Sequence, residues 1–384
     1  MNGSVGPDKK PIISVFLPDL RPGGAEAVHV ALARAWLDFG ADVEFVLMQK
    51  QGELLADIPS SVGLKNLKVR RIRGSIFPLV DYLRDRRPDV FVAAMWPLTF
   101  VGALAIKLSR VKSIFVVSEH TLLSEAYRSH SAVHKLVLRI TTAIAYRWAA
   151  NVVAVSKAVA ENLADVSGLP SSRFSVIYNP AARGVASVPV SVRKDRDRRV
   201  TVITVGTLKK SKNHALLLRA FKLLPDSLGA QLIILGEGSM RKDTEQLVAD
   251  LNLTAKVHLP GYSSDPYQYL HQSDLFVLSA DYEGFGNVLV EALECGLPVV
   301  STDCKGGPRE ILDNGRYGEL VPTGDPSALA RAMAKAINNP PLPSIQNERA
   351  QFFTVEKSAR SYYDLFGLVP TAVNDARNVV VEVD

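Results

Sequence analysis

Cysteine is nearly absent from this sequence, since Cys295 and Cys304 are the two that occur in 384 residues. They lack the spacing of a zinc site, and two thiols cannot form the framework of a disulfide-rich domain. Such scarcity is typical of a protein from a reducing cytoplasm. Cys295 lies in an apolar helical pattern, so we interpret it as a packing residue.

Long hydrophobic runs are also missing. The longest stretch without a charge, Val90 to Ile106, is interrupted by Pro97 and Thr99 and is shorter than the roughly 18 apolar residues of a spanning helix. The first ten residues, MNGSVGPDKK, are polar and charged, and no apolar segment of a signal peptide follows them. We therefore expect a cytoplasmic protein without a transmembrane segment.

Charge is unevenly distributed along the chain. Residues 1–184 contain 23 Lys and Arg against 15 Asp and Glu, a balance of +8, whereas the remainder contains 22 against 24, a balance of −2. A basic first half indicates an anionic partner, either a negatively charged membrane surface or a phosphorylated acceptor. Nucleic acid is not expected, because no basic stretch carries interleaved aromatic residues on which bases stack.

Short runs rich in Val and Ile alternate with helical patterns such as Ala25–Phe39 and Phe100–Ser109. Continuous apolar strands separated by helices predict parallel sheets covered on both faces, and hence an α/β fold of two doubly wound, Rossmann-like domains facing across a deep cleft. The predicted strands are 12–16, 43–48, 90–94, 113–118, 151–156, 200–206, 230–236, 256–261, 274–280, 297–303 and 318–322.

The domain boundary is predicted where this alternation restarts. Asn179-Pro180 closes one strand, and the polar run RKDRDRR (193–199) precedes the next, which is typical of a hinge. We assign residues 1–184 to an N-terminal, acceptor-side domain and 185–360 to a C-terminal, donor-binding domain. Residues 361–384 form a C-terminal segment whose last fifteen or so residues are expected to be a loose tail.

Two carboxylates stand eight residues apart in DYEGFGNVLVEALECGLPVV (281–300), namely Glu283 and Glu291. A wholly helical path would separate them by about 12 Å along the axis, whereas glycosidase carboxylates flank one bond at about 5 to 9.5 Å. The helix that follows Gly284-Phe285-Gly286 offers N–H groups to an anion, and glycines permit close approach. We therefore interpret the two as ligands of one substrate that carries phosphate between hydroxyl-bearing groups.

The segment EGFGNVLVEALECGLPVVSTDCKGGPREIL (283–312) resembles the donor-site signature of retaining glycosyltransferase family 4, with its Glu-x7-Glu motif. The family has the GT-B fold, and the resemblance extends from PDLRPGGAE near the start to the helix of residues 326–338. It implies that Glu283 contacts the donor sugar near the reacting carbon and that Glu291 binds the ribose hydroxyls. It also implies that the stretch between them meets the sugar and diphosphate, through Phe285, Gly286, Asn287 and Val288.

The segment VGTLKKSKNHALLLRAF (205–221) resembles the diphosphate-binding loop of the family, in which Lys212 matches the lysine that neutralises the phosphates. The family often has a basic residue directly after the glycine, where this chain has Thr207. Lys209 or Lys210 is a candidate to compensate, but by default we interpret both as residues of a solvated loop and rank Lys212 well above them.

Three weaker candidates complete the predicted site. Gly23-Gly24 between a strand and a helix resembles the glycine loop of the family, and His120 matches a position near the transferred sugar. Gly261 lies in a segment that lines the nucleotide side of the pocket in the family. The Gly-x-Gly of LGEGSM (235–240) also suits a dinucleotide site, but Arg241 stands where the third glycine of that fingerprint belongs.

The resemblance thus implies a retaining transferase that moves a hexose-type sugar from a nucleotide-diphosphate sugar to an acceptor hydroxyl. The acceptor is expected to be a lipid-linked or cell-surface glycan precursor, as in polysaccharide and lipopolysaccharide biosynthesis. No metal or other cofactor is expected, because no Asp-x-Asp occurs near a strand end. A nucleotide-sugar epimerase, a catalytically silent GT-B partner subunit and a nicotinamide-dependent oxidoreductase stay as alternatives.

Overall fold

The computed structural model of the chain describes residues 10–184 and 199–370. Most of the predicted hinge (193–199) and of the predicted tail falls outside these described residues. The described residues form two compact units. The first contains residues 10–119, 136–153 and 355–370, and the second contains residues 120–135, 154–184 and 199–354.

The first half of the chain alternates strands and helices as the sequence predicts. The strands are β1 (Ile12–Leu17), β2 (Asp42–Leu47), β3 (Gly63–Asn66), β4 (Val90–Ala94), β5 (Ile114–Glu119), β6 (Asn151–Ala154) and β7 (Phe174–Val176). The helices are α1 (Gly24–Asp38), α2 (Ile76–Arg86), α3 (Leu98–Ser109), α4 (Leu123–Ala126), α5 (Ala132–Trp148) and α6 (Lys157–Ser167).

The second half repeats the alternation. Its strands are β8 (Thr201–Val205), β9 (Gln231–Leu235), β10 (Val257–Gly261), β11 (Leu275–Leu278), β12 (Tyr282–Glu283), β13 (Val299–Thr302), β14 (Lys305–Gly306) and β15 (Glu319–Val321). Its helices are α7 (His214–Lys222), α8 (Arg241–Asp250), α9 (Pro266–His271), α10 (Asn287–Glu294), α11 (Pro308–Ile311), α12 (Pro326–Asn338), α13 (Pro343–Ala350) and α14 (Val355–Phe366).

Each unit is built on a parallel sheet of the doubly wound type. In the first, the strands lie in the order β3-β2-β1-β4-β5-β6, and in the second in the order β10-β9-β8-β11-β13-β15. Strands such as β4 and β11 are buried along their whole length, which explains why their sequences are continuously apolar. All eleven strands predicted from apolar runs are present, so the predicted fold of two Rossmann-like α/β domains is confirmed.

Reversal of strand order decides where a ligand binds in such a sheet. In the second unit the order reverses between β8 and β11, which pair directly, and the loops that leave their carboxyl ends face the same edge. Open α/β sheets bind ligands in the crevice at this switch point. The core that supports it contains Val202, Leu217, Leu232, Leu275 and Met333, none of which is exposed.

The last described helix belongs to the first unit, although it follows the second in the chain. On α14, Tyr362 packs edge-on against Trp36 of α1 with ring centroids 5.6 Å apart, and its hydroxyl shares a 3.0 Å hydrogen bond with Ser118. Tyr363 donates a hydrogen bond to the carbonyl of Trp36 at 3.2 Å. Among the helices of the described ranges, none has the length and apolar character that crossing a membrane requires.

Candidate functional site

Lys212 lies on the loop that leaves β8 at the switch point of the second unit. The loop begins at Gly206, whose φ of +147° suits glycine, and the stem of Lys212 passes over it. Lys212 ends a 3₁₀ turn that starts at Lys210, and the next residue, Asn213, caps α7 by accepting a hydrogen bond from the N–H of Leu216 at 3.1 Å. The start of α7 therefore holds the lysine in place.

Glu283 lies on the loop that leaves the neighbouring strand β11, and its carboxylate accepts a hydrogen bond from the ammonium of Lys212. The two side chains retain 18% and 12% of their exposure, so the ion pair is largely shielded but still reachable. The structure thus brings together two predicted residues that are 71 positions apart.

The two loops are joined by hydrogen bonds besides this ion pair. The N–H of Asp281 donates to the carbonyl of Ser211 at 2.8 Å, and the hydroxyl of Ser279 donates to the carbonyl of Lys212 at 2.9 Å. The side-chain amide of Asn213 donates to the carboxylate of Asp281 at 2.7 Å. These bonds fix the position of Lys212 relative to the strand that carries Glu283.

Glycines allow other segments of the second unit to approach Glu283 closely. A Cβ on Gly284 would lie 2.0 Å from the carbonyl oxygen of His120, so only glycine permits this contact. A Cβ on Gly306 would lie 1.5 Å from the carbonyl oxygen of Glu283, which pairs with Gly306 between β12 and β14. His120, predicted from the resemblance, is therefore adjacent to the Glu283 loop.

The predicted stretch Phe285 to Val288 forms the entry to α10. The ring of Phe285 is buried and stacks on Tyr178 with centroids 5.7 Å apart, so this residue has its backbone rather than its ring available to a ligand. Gly286 has a φ of +106° and precedes α10 directly. Asn287 and Val288 are half-buried in its first turn, and Asn287 accepts a 2.8 Å hydrogen bond from the side chain of Asn179.

Glu291 and Glu294 lie on successive turns of α10 and have different environments. Glu294 is buried and accepts hydrogen bonds from the N–H groups of Arg183 at 3.0 Å and Gly184 at 2.7 Å, and from the hydroxyl of Tyr267. Glu291 is half-buried, and no hydrogen bond to its carboxylate is found within the described residues. Glu294 therefore has a structural role, and Glu291 is available to a ligand.

The surroundings of Glu291 raise the pKa of its carboxyl group. Desolvation by the packed protein raises its pKa to about 7, the charge of Arg183 opposes this rise, and Glu294 adds to it. The guanidinium of Arg183 lies over the ring of Tyr267, 5.0 Å from its centroid. Arg183, Tyr267 and Glu294 were not predicted from the sequence. The sequence feature that could have indicated this cluster is the position of Glu294 among the apolar residues of α10.

The Gly-x-Gly of residues 236–238 has a packing role. A Cβ on Gly236 would lie 2.0 Å from the carbonyl oxygen of Gly206, and one on Gly238 would lie 2.3 Å from that of Leu208. The loop after β9 is thus pressed against the Lys212 loop. The predicted Gly261 ends β10 and accepts a 2.8 Å hydrogen bond from the N–H of Gly236. Thr207, between these glycine contacts, is exposed.

Gly23 and Gly24 lie in the first unit, as predicted, where β1 gives way to α1. Gly23 precedes the helix, and its carbonyl accepts a hydrogen bond from the N–H of Ala27 at 3.0 Å. The side chain of Glu26 folds back against Gly23, where a Cβ would lie 2.2 Å from its carboxylate oxygen. Desolvation raises the pKa of Glu26, although its own backbone N–H opposes this rise.

Glu119 is a buried carboxylate of the first unit that the sequence analysis missed. It ends β5 and accepts hydrogen bonds from the N–H of Trp96 at 3.1 Å and from the hydroxyls of Thr99 and Tyr146, each at 3.0 Å. Burial raises its pKa to about 7. It joins the loop after β4, helix α3 and helix α5, which gives it a structural role.

Two family models of glycosyltransferases together match most of the chain. The family model described as Glycosyltransferase Family 4 matches residues 22–182, and the model described as Glycosyl transferases group 1 matches residues 191–352. The second match contains Lys212, Glu283 and Glu291.

Two curated relatives share much of the chain. An N-acetylgalactosamine-N,N'-diacetylbacillosaminyl-diphospho-undecaprenol 4-alpha-N-acetylgalactosaminyltransferase of Campylobacter jejuni is 30% identical over 252 residues, which are 65% of this chain and 67% of that protein. The lipopolysaccharide core biosynthesis glycosyltransferase LpsE of Rhizobium meliloti is 27% identical over 347 residues, which are 88% of this chain and 93% of that protein.

Solved structures share the fold. The crystal structure of Anabaena Alr3699/HepE in complex with UDP and glucose superposes with a TM-score of 0.77 at 23% identity, covering 92% of this chain and 99% of that one. WaaG, a glycosyltransferase involved in lipopolysaccharide biosynthesis, superposes with a TM-score of 0.72 at 17% identity, covering 92% and 99%.

Proposed function

Because this chain belongs to the glycosyltransferases of group 1 and family 4, we propose that it transfers a hexose-type sugar from a nucleotide-diphosphate sugar to an acceptor hydroxyl and retains the anomeric configuration. The observation that carries the proposal is the pairing of Lys212 with Glu283 at the switch point of the second sheet, with Glu291 a short distance along α10.

Donor binding follows from the charges of this site. Lys212 neutralises the diphosphate, and N–H groups at the start of α10 add donors for its oxygens. The carboxylate of Glu291 accepts hydrogen bonds from the two vicinal hydroxyls of the ribose, since an ionised carboxylate has two acceptor oxygens. Glu283 accepts hydrogen bonds from hydroxyls of the sugar. The protein thus has one set of groups for each of the three parts of a sugar nucleotide, namely the diphosphate, the ribose and the transferred sugar.

The chemical step requires stabilisation of the negative charge that grows on the leaving diphosphate. Lys212 and the backbone N–H groups are already in place, so little reorganisation is needed when the bond breaks. Positive charge develops on the sugar near Glu283, whose carboxylate stabilises it. A phosphate oxygen of the donor takes the proton of the acceptor hydroxyl, and no separate base or metal is required in this proposal.

The proposal also specifies the class of acceptor and the cellular compartment in which the transfer takes place. The name of the Campylobacter jejuni relative specifies a diphospho-undecaprenol acceptor, and LpsE acts in lipopolysaccharide core biosynthesis, which supports a lipid-linked or cell-surface glycan precursor. The two cysteines are buried and unpaired, which supports a reducing cytoplasm. We therefore propose action on the cytoplasmic side of the membrane.

Nucleotide-induced thermal stabilisation tests the donor site directly. The panel is UDP, GDP, ADP, UDP-glucose, UDP-galactose, UDP-N-acetylglucosamine and GDP-mannose. UDP and UDP-glucose come first, because structures of the Anabaena protein are complexes with one or the other. A ligand that binds only the folded state raises the melting temperature by mass action. We expect one nucleotide family to raise it, and Glu291→Ala to abolish the shift.

Turnover then separates the proposed transferase from other roles of the same fold. With the stabilising donor, release of the nucleoside diphosphate in the presence of acceptor indicates transfer, and NMR of the product reports the anomeric configuration. Conversion of the donor to an epimer without release would indicate an epimerase. Binding without any turnover would indicate a catalytically silent subunit.

A further inference from the structure

Helix α5 exposes a row of large apolar side chains to solvent. Leu136, Val137, Ile140 and Trp148 are between 40% and 57% exposed, and the half-buried Ile144 lies between the last two. Their spacing places them on one side of the helix. We name these five residues the α5 stripe. It continues into the first turn of the helix, where Val133 is 72% exposed.

The other side of the same helix already packs against the protein. Leu138, Thr142, Ala145 and Tyr146 are buried, and the hydroxyl of Tyr146 donates to Glu119. The α5 stripe therefore does not contribute to the core, which the opposite side of the helix contacts. A helix that is apolar on both sides requires a second apolar environment, and contiguous exposed apolar residues mark an interaction surface.

The charged side chains that α5 itself carries all have one sign. The sequence contains no Asp or Glu from residue 126 to residue 160. Within α5 the exposed charged residues are Lys135, Arg139 and Arg147. At the end of α3, the ammonium of Lys107 lies 5.5 Å from the ring centroid of Trp148, and Leu108 is also exposed. The stripe thus has a basic rim and an aromatic residue at one end.

We propose that the α5 stripe docks on an anionic membrane surface, with its apolar residues among the acyl chains and its basic rim at the lipid phosphates. Such a surface offers apolar contact and negative charge together, and indole rings are favoured at its boundary. A second copy of the chain suits the stripe poorly. In a symmetric dimer, each basic rim would face an identical basic rim.

This docking extends the proposed function, because a lipid-linked acceptor resides in the membrane. It rests on α5 and α3 alone and uses none of the residues that bind the donor. A failure of membrane binding and a failure of the donor site are therefore distinguishable.

Vesicle flotation of the full chain tests the proposal. The vesicles contain phosphatidylglycerol and phosphatidylethanolamine, or phosphatidylcholine alone, and flotation is measured at low and high salt. We expect flotation with the anionic vesicles at low salt and less at high salt, because screening weakens the contribution of the basic rim. The double variant Leu136→Glu/Ile140→Glu should lower the partition coefficient by about tenfold or more, because two carboxylates enter the apolar stripe.

Matched controls keep the result interpretable. Leu342→Glu places one such carboxylate on an exposed leucine outside α5, and it should float like the unaltered protein. The double variant should keep its donor-induced thermal shift, which shows that it is folded.

Three outcomes would overturn the proposal. One is absence of flotation of the unaltered protein with anionic vesicles at low salt, and another is equal flotation of the folded double variant. The third is an unaltered protein that is dimeric by light scattering and becomes monomeric in the double variant without a change in flotation, because the stripe would then be a dimer interface.

Discussion

The ammonium of Lys212 and the carboxylate of Glu283 form an ion pair across loops that follow the adjacent strands β8 and β11. The two side chains also retain little exposure, at 12% for Lys212 and 18% for Glu283. In the proposed function, a nucleotide-diphosphate sugar brings phosphate to the lysine and hydroxyls to the carboxylate, so we expect both groups to exchange each other for the donor. Substitution of either residue tests this exchange.

Lys212→Ala should lower kcat by about 10²- to 10³-fold, because it removes a preformed cation from the leaving diphosphate. Lys210→Ala is the matched control, since Lys210 lies in the same 3₁₀ turn and is exposed. Steady-state kinetics with the identified donor provide the measurement. Equal losses in the two variants would show that the loop contributes general positive charge rather than a specific contact.

Glu283→Gln should also depress kcat strongly while the protein stays folded. The amide keeps one acceptor oxygen for the sugar but loses the negative charge that pairs with Lys212 and stabilises the developing cation. Donor affinity should change less than kcat, and isothermal titration beside turnover assays separates the two. Near-normal turnover would remove Glu283 from the catalytic site.

Donor binding should strengthen as the pH rises through about 7. The pKa of Glu291 is raised to about 7 by burial, and the ionised form is the better acceptor for ribose hydroxyls. In Glu291→Gln, the dissociation constant should be higher and nearly constant between pH 6 and pH 8. A wild-type affinity that does not change over this range would contradict the assignment of Glu291 to the ribose.

Arg183→Gln should move the midpoint of that pH dependence upward. The positive charge of Arg183 opposes the rise in the pKa of Glu291, so its removal leaves the carboxyl protonated to higher pH. Arg183→Lys should restore most of the original profile, because it returns the charge. A profile that stays in place in Arg183→Gln would show that the charge of this side chain does not influence Glu291.

Gly284→Ala should destabilise the second unit by about 1–3 kcal/mol, since the new Cβ would meet the carbonyl oxygen of His120 and the backbone would have to move. Gly74→Ala is the control, because nothing lies within 4 Å of a Cβ there. Thermal unfolding of both variants gives the comparison. A Gly284→Ala protein as stable as the control would mean that the loops separate without cost.

Glu119→Gln should destabilise the first unit by about 1–3 kcal/mol, because one of the three donors that meet the carboxylate loses its acceptor. Folding raises the pKa of Glu119 from 4.5 to about 7, so this carboxyl lowers stability progressively as the pH rises between those values. The variant lacks that slope, and the difference in stability should therefore be larger at pH 5 than at pH 8.

Urea titrations at both pH values measure these free energies of unfolding. The exposed Glu161→Gln serves as a control that should change stability little. A difference between Glu119→Gln and the unaltered protein that is constant with pH would contradict the raised pKa.

Local patterns in the sequence were sufficient for the fold. Apolar runs such as 90–94 and 274–280 are visible because parallel strands are buried on both faces, and they marked both sheets correctly. The strands β3, β7, β12 and β14 escaped prediction. Residues 63–66 contain Lys65 and Asn66 and no continuous apolar run, so they resemble a loop in sequence.

The resemblance to the family, the parallel sheets and the candidate residues on the strand-to-helix loops were predictable from sequence, because all three depend on local order along the chain. Only the packing of distant segments brings Lys212 to Glu283 and brings Arg183, Gly184 and Tyr267 to Glu294 as hydrogen-bond donors. The same packing leaves large apolar side chains on one side of α5 exposed within the described residues. Each of these depends on which distant segments become neighbours. Such neighbours are set by the packing of whole elements rather than by any pattern along the chain.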